Sequence, residues 1–393
     1  MSEAEVFTSL AWIVGAAALA PILVGLLPRP RLPEVVVLLA LGMVLGPYGL
    51  DLAGRPPQIE LLSEVGLGML FLMAGIEVAP RELRSRDGAR ALTAWLVSLA
   101  VAMAWTYSLS LLVGVSAWAA VAIAMTSTAL GTLLPLLRDT GLQHERLGRL
   151  VLANGAVGEF GPILAMSLLL TQGSAFGAIG SLAAFGALAL LLGFLVVRHT
   201  PRAQRVVAVV RRGADTTAQA PVRLVLLLLV VMLALSASLG LDVILGAFAA
   251  GAILRMLVAT PGHEAFLARL DGIGYGFLIP VFFVVSGMGI DVGVLLDRAG
   301  VTLVMFVSIL VVRGVPVLLL FRHLPGRQRL QLGLFSATGL PIIVAVSTVA
   351  VEAGQMTSEG QSIVVAAGML TVLALPMFAF TLHRTEDRDL SGA

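Results

Sequence analysis

One acidic or basic side chain, Glu159, stands between Arg149 and Arg198, inside the apolar stretch 147–171. A carboxylate near the centre of a bilayer costs roughly 2.5–3.5 kcal/mol on insertion scales unless it is protonated, paired or wetted. Membrane chains keep such a group where it binds an ion or passes a proton, so Glu159 is a candidate ion and proton site. The alternative is a neutral carboxyl, hydrogen-bonded for structural reasons. Its neighbours bear on the choice. Asn154, a little over one turn earlier, can orient a bound water or tie helices together. Gly158 leaves room for another backbone, and Pro162 frees a carbonyl one turn back, permitting a kink.

Two other runs supply oxygen ligands. Met125-Thr-Ser-Thr-Ala129 sets Thr126, Ser127 and Thr128 in succession, with Gly131 and Pro135 following. This pattern predicts a helix unwound at mid-membrane, where freed carbonyls and hydroxyls coordinate a cation and half-helix ends add dipole charge. The alternative is an unbroken helix whose hydroxyls bond back to preceding carbonyls. About 210 residues later, Phe335-Ser-Ala-Thr-Gly-Leu-Pro341 repeats the interruption with Ser336, Thr338 and Gly339. Interruptions at corresponding points of two halves are the strongest sequence pointer to a transport site. Arg313, in Ser308-Ile-Leu-Val-Val-Arg-Gly-Val-Pro316, is the one arginine deep in a predicted span. A guanidinium there requires a carboxylate, carbonyls or water. Glu159 is the expected partner, directly or through water, which makes Arg313 a buried counter-charge. Snorkelling toward the cytoplasmic Arg322 is the alternative.

The elements that must hold these groups follow from composition. Of 393 residues, 59% are hydrophobic and 12% charged, about half the charged fraction of a soluble domain. An all-α polytopic membrane protein is expected. Apolar runs of about 20 residues place thirteen spans, near 6–27, 33–50, 61–79, 89–113, 116–137, 147–171, 175–198, 221–239, 242–259, 273–291, 300–321, 329–352 and 361–382. All 25 basic residues other than histidine are arginine, and with these spans 22 fall on one side. Arg55 and Arg298 fall on the other, and Arg313 lies within a helix. The positive-inside rule then sets the N-terminus outside and the C-terminus in the cytoplasm. The first apolar run lacks a basic leader and a cleavage site, so it is expected to be a retained helix. Residues 383–393 are expected to form a short cytoplasmic tail, too short for a regulatory domain.

A weak internal repeat supports a two-part plan. Phe71-Leu-Met-Ala-Gly-Ile-Glu-Val78 resembles Val285-Ser-Gly-Met-Gly-Ile-Asp-Val292, and 38–46 resembles 246–254. Two six-helix repeats, about 6–171 and 221–382, would flank a linker helix at about 175–198. An odd spacer inverts the second repeat, as in secondary transporters. With no cysteine, disulfides and thiolate metal sites are excluded. The arginines sit in short loops, which argues for topology setting and against nucleic acid. His144, His199, His263, His323 and His383 lie in or beside cytoplasmic loops and form no metal-ligand pair. Glu77, Asp242 and Asp291 stand near helix ends, while Glu352 and Glu359 flank an external loop. No nucleophile, base and metal constellation of an enzyme is visible, and no cofactor is implied.

Leu245-Gly-Ala-Phe-Ala-Ala-Gly-Ala-Ile-Leu254 and Ile279-Pro-Val-Phe-Phe-Val-Val-Ser-Gly-Met-Gly-Ile-Asp291 resemble stretches of the cation:proton antiporter superfamily, most closely its Kef-like and NapA-like branch. Thr126-Ser-Thr-Ala129 with Leu137-Arg-Asp-Thr-Gly141, and Phe71-Leu-Met-Ala-Gly-Ile-Glu77, resemble its hydroxyl-rich crossing helix and an early helix. The resemblance spans residues 33 to 341. It implies a dimerising scaffold, a mobile core with two crossing discontinuous helices, and exchange of Na⁺ or K⁺ for H⁺ by an elevator-like motion. It places the essential carboxylate at Glu159 and a basic residue at Arg313. Members usually carry Asp preceded by Asp, Asn or Gln, whereas this chain has Gly158-Glu159. The expectation is therefore a homodimeric antiporter in a bacterial inner membrane, lipid-embedded, with Thr126, Ser127, Thr128 and Asn154 around Glu159. The alternatives are a Kef-like gated K⁺ efflux pathway needing separate regulatory subunits, and a transport-inactive sensor or scaffold.

Overall fold

The computed structural model describes residues 2–26, 33–77, 85–113, 117–142, 145–169, 180, 182–187, 189, 219–258 and 264–391. The regular elements among them are helical: α1 (Glu3–Leu26), α2 (Glu34–Leu45), α3 (Pro57–Glu77), α4 (Arg86–Val113), α5 (Trp118–Met125), α6 (Leu130–Asp139) and α7 (Arg146–Leu169). Then come α8 (Ala220–Ser238), α9 (Val243–Val258), α10 (Ala265–Met288), α11 (Val292–Asp297), α12 (Ala299–Leu320), α13 (Gly326–Ser336), α14 (Pro341–Glu352) and α15 (Ser358–Ser391). Among the described residues, nine helices are long and apolar enough to cross a membrane, with α13 and α14 taken together as one, and three shorter apolar ones accompany them, with α5 and α6 likewise taken as one. Each lies on a span predicted from the sequence. The predicted linker helix at 175–198 falls for the most part outside the described residues. The protein is a multi-pass membrane protein.

The helices form because a chain in hydrocarbon must satisfy its backbone internally. Their apolar residues run around the whole circumference, and many large side chains stay exposed, among them Leu26, Leu111 and Leu112. Such exposure suits a lipid solvent. Two helices depart from regular winding through single π turns, Gly274–Leu278 in α10 and Leu310–Gly314 in α12.

Contacts divide the chain into two compact units, and each draws on both halves of the sequence. One comprises Met1–Pro56, Ala79–Met166 and Phe283–Ala393; the other comprises Pro57–Val78 and Ser167–Phe282. Each contains a tight seam of glycines. In the first unit, a methyl at Gly42 would strike the Val284 carbonyl, and one at Gly287 would strike the Leu39 carbonyl. In the second, Gly75 faces the Phe248 carbonyl and Gly251 faces that of Leu72. Helices in lipid pack closely where small residues let backbones approach. Gly42 answers to Gly251, and Gly75 to Gly287, about 210 residues on. The same contact is thus built once in each unit. It also sets Gly75 against Gly287, two positions from the Gly289 that the matching strings suggest.

The first unit carries a core of buried side chains that includes Leu133, Leu147, Leu150, Val317, Leu332 and Phe335. Phe335 meets Phe380 edge to face at 5.3 Å. This packing anchors α6, α7, α12, α13 and α15, which hold the candidate site.

Candidate functional site

Both interrupted runs are broken helices. α5 stops at Met125 and α6 starts at Leu130; α13 stops at Ser336 and α14 starts at Pro341. Unwound backbone at this depth must find partners, and the two breaks supply them to each other. Ala129 N–H donates to the Thr338 carbonyl at 2.7 Å, and Thr128 Oγ1 donates to the Ser336 carbonyl at 2.6 Å. Thr128 N–H donates to the Gly158 carbonyl of α7 at 3.0 Å. A side chain at Gly158 would collide with the Thr128 side chain and crowd Arg313 Nη2, so these two side chains fill the room that this glycine leaves. Gly339 packs equally close on Ser127, where a Cβ would lie 2.8 Å from the Ser127 carbonyl oxygen.

Glu159 is 6% exposed, on α7. Its Oε1 accepts hydrogen bonds from the Leu130 and Gly131 amides at 2.8 and 3.2 Å. Those are the first two residues of α6, whose N–H groups lack intrahelical acceptors and carry the positive end of the helix dipole. α7 runs through Pro162 without ending. Gly161, two residues beyond Glu159, lies against the buried indole of Trp95.

Arg313 is fully buried, in the π turn of α12. Its Nε donates to Thr128 Oγ1 at 3.2 Å, and Nη2 donates to the Asn154 carbonyl at 3.1 Å. The guanidinium that the sequence pairs with Glu159 therefore directs these bonds to Thr128 and to α7 backbone. Both charged groups act on the first break, Arg313 at Thr128 and Glu159 at Leu130 and Gly131. Nη1 of Arg313 is buried with no hydrogen-bond partner among the described residues.

The remaining predicted ligands sort into two kinds. Thr126 Oγ1 donates to the Ile123 carbonyl, Thr338 Oγ1 to that of Leu334, and Asn154 Nδ2 to that of Leu150. These bonds are local, each to a carbonyl three or four residues earlier. Ser127 Oγ, Ser336 Oγ and Asn154 Oδ1 are buried without a hydrogen-bond partner among the described residues. A buried polar atom left without one costs about 1–3 kcal/mol, so these three oxygens are open to a ligand. Sequence reasoning missed the Leu130 and Gly131 amides, because every non-proline residue has one and nothing marks those in use. It also missed Thr371 of α15, whose Oγ1 accepts from Gly339 N–H at 3.2 Å. A lone threonine in an apolar helix gives no signal.

Of the acids near helix ends, Asp291 caps α11 by accepting from the Gly293 and Val294 amides. Asp242 accepts from the Ile244 amide at the start of α9. The Glu77 carbonyl accepts from Arg255.

Residues 14–383 match the family described as sodium/hydrogen exchanger, transmembrane. The chain is 23% identical, over 97% of its length, to YjbQ of Bacillus subtilis, named as a candidate Na⁺/H⁺ antiporter. It is 26% identical, over 98% of its length, to the glutathione-regulated potassium-efflux system protein KefC of Cronobacter sakazakii. It spans 64% and 62% of the lengths of these two relatives. The solved structure of the sodium proton antiporter MjNhaP1 from Methanocaldococcus jannaschii aligns with a TM-score of 0.63 at 17% identity, covering 96% of this chain and 99% of that one. The shared fold is thus nearly complete.

Proposed function

The chain belongs to the sodium/hydrogen exchanger family of transmembrane proteins, and we propose that it exchanges a monovalent cation, Na⁺ or K⁺, for H⁺ at Glu159. The observation that carries this reading is a buried carboxylate bonded to the first residues after a helix break that itself crosses a second break. A proton or a cation neutralises the carboxylate, and each excludes the other. Ser127, Ser336 and Asn154 offer oxygens for a cation. Arg313 balances charge when the carboxylate is loaded with neither, through the Thr128 and Asn154 links. With one acid and one permanent cation, exchange is one-for-one.

Coupling follows from the cost of carrying an uncompensated charge through an apolar barrier. The motion is of elevator type, in a homodimer, with the two repeats about 6–171 and 221–382. The protein resides in an inner membrane with its N-terminus outside and its C-terminus in the cytoplasm. Replacing Glu159 by Gln removes exchange driven by a pH gradient in proteoliposomes, with dye-monitored H⁺ flux compared for Na⁺, K⁺ and Li⁺. Exchange that survives Glu159→Gln rejects the assignment.

Similarity to KefC over 98% of the chain favours a second reading, gated K⁺ efflux under separate regulatory subunits. K⁺ flux at channel-like turnover, independent of any opposing proton gradient, selects it.

A further inference from the structure

We infer that the first two amides of α6 are a built-in competitor for the Glu159 carboxylate, so that H⁺ and the cation must each displace a hydrogen-bonded latch. The inference rests on the reading of Glu159 as the exchange site. Leu130 and Gly131 donate to one and the same oxygen, Oε1, at 2.8 and 3.2 Å. Hydrogen bonds to a carboxylate are about twice as strong as neutral ones, and the buried setting excludes competing water. A proton on that oxygen removes its acceptor strength, and a cation beside it repels the two amide hydrogens. The empty, charged carrier is therefore held by α6 until a substrate takes its place.

The second break shows that such amides are not an automatic product of unwinding. Its corresponding half-helix, α14, begins with Pro341, which has no N–H to offer. Leu130 holds the equivalent first position of α6. Proline is favoured at that position of a helix, so Leu130→Pro deletes one donor while keeping a residue type that half-helix starts accept in this chain.

In proteoliposomes, at a pH well above the half-maximal pH of both proteins, Leu130→Pro lowers the cation KM about tenfold, the loss of one hydrogen bond to a charged group. It also moves the half-maximal pH upward by about one unit, because H⁺ meets the same weakened competitor. General damage to the site moves KM the opposite way. A KM that is unchanged or raised overturns the inference.

Amide hydrogen exchange read by mass spectrometry tests the latch in the unaltered chain. A saturating transported cation speeds exchange in the peptide that begins α6, although ligands ordinarily slow exchange. Glu159→Ala speeds it without any cation. Unchanged or slowed exchange in both cases overturns the latch. Unaltered protein that exchanges no cation for H⁺ overturns the proposed function instead, and the Glu159→Ala comparison still decides whether the carboxylate holds α6.

Discussion

The two helix breaks share a backbone plan and differ in chemistry. In the first, Thr128 knits three elements: its amide bonds α7, its hydroxyl donates to α13, and the same oxygen accepts from Arg313. The half-helix that follows opens with amides bonded to Glu159. In the second, Thr338 bonds its own helix, and Pro341 opens the next one. Thr371 supports the Gly339 amide from α15. The difference teaches that interruption alone does not make an ion site. Each break leaves polar backbone that must be satisfied, and the second is satisfied by neutral groups. The first is satisfied partly by a carboxylate, and a guanidinium holds its Thr128 hydroxyl, so a change in either charge is felt directly by its fold.

The contrast is sharpest at the paired threonines. Thr128→Val loses the donor to Ser336 and leaves the Arg313 Nε without its acceptor, costing about 2–4 kcal/mol. Thr338→Val loses only a bond back to Leu334 in the preceding turn and costs less. Thermal unfolding in detergent separates the two, and equal losses would break the comparison. Ser127→Ala and Ser336→Ala come next. Neither removes a hydrogen bond present in the protein, so melting is unchanged, while cation KM rises severalfold in transport assays. Unchanged KM in both would take the serines out of the site. Pro341→Ala is expected to do least. It returns an amide to the start of α14 and leaves cation KM and pH profile where they were. A shift matching that of Leu130→Pro would mean that the two half-helices play equal parts.

Much of this was legible in the sequence. Runs of about 20 apolar residues have one stable form in hydrocarbon, which is why each described helix long and apolar enough to cross a membrane lies on a predicted span. Met125–Ala129 and Phe335–Pro341 announce breaks because hydroxyls, Gly and Pro weaken a helix locally, whatever surrounds it. The glycine seams were half visible. The strings containing Gly75 and Gly289 match by type, yet the close contact at that level is made by Gly287. Similar small residues two positions apart look alike in a string, and only the facing carbonyls of Leu39 and Leu72 tell them apart.

The sequence alone determined which groups are too polar for their surroundings: Glu159, Arg313 and the two hydroxyl-bearing runs. That follows from the local cost of polar atoms in an apolar stretch, a property that needs no partner to evaluate. Tertiary structure decided what each of them holds. Whether Thr128 or Thr126 reaches another helix, whether Arg313 turns to Thr128, and which amides receive Glu159 all depend on hydrogen bonds a few ångströms long between segments that lie far apart along the chain. Such bonds are short-ranged and directional, so their partners are chosen by packing and by the added residue of the π turn, and residue type leaves that choice open.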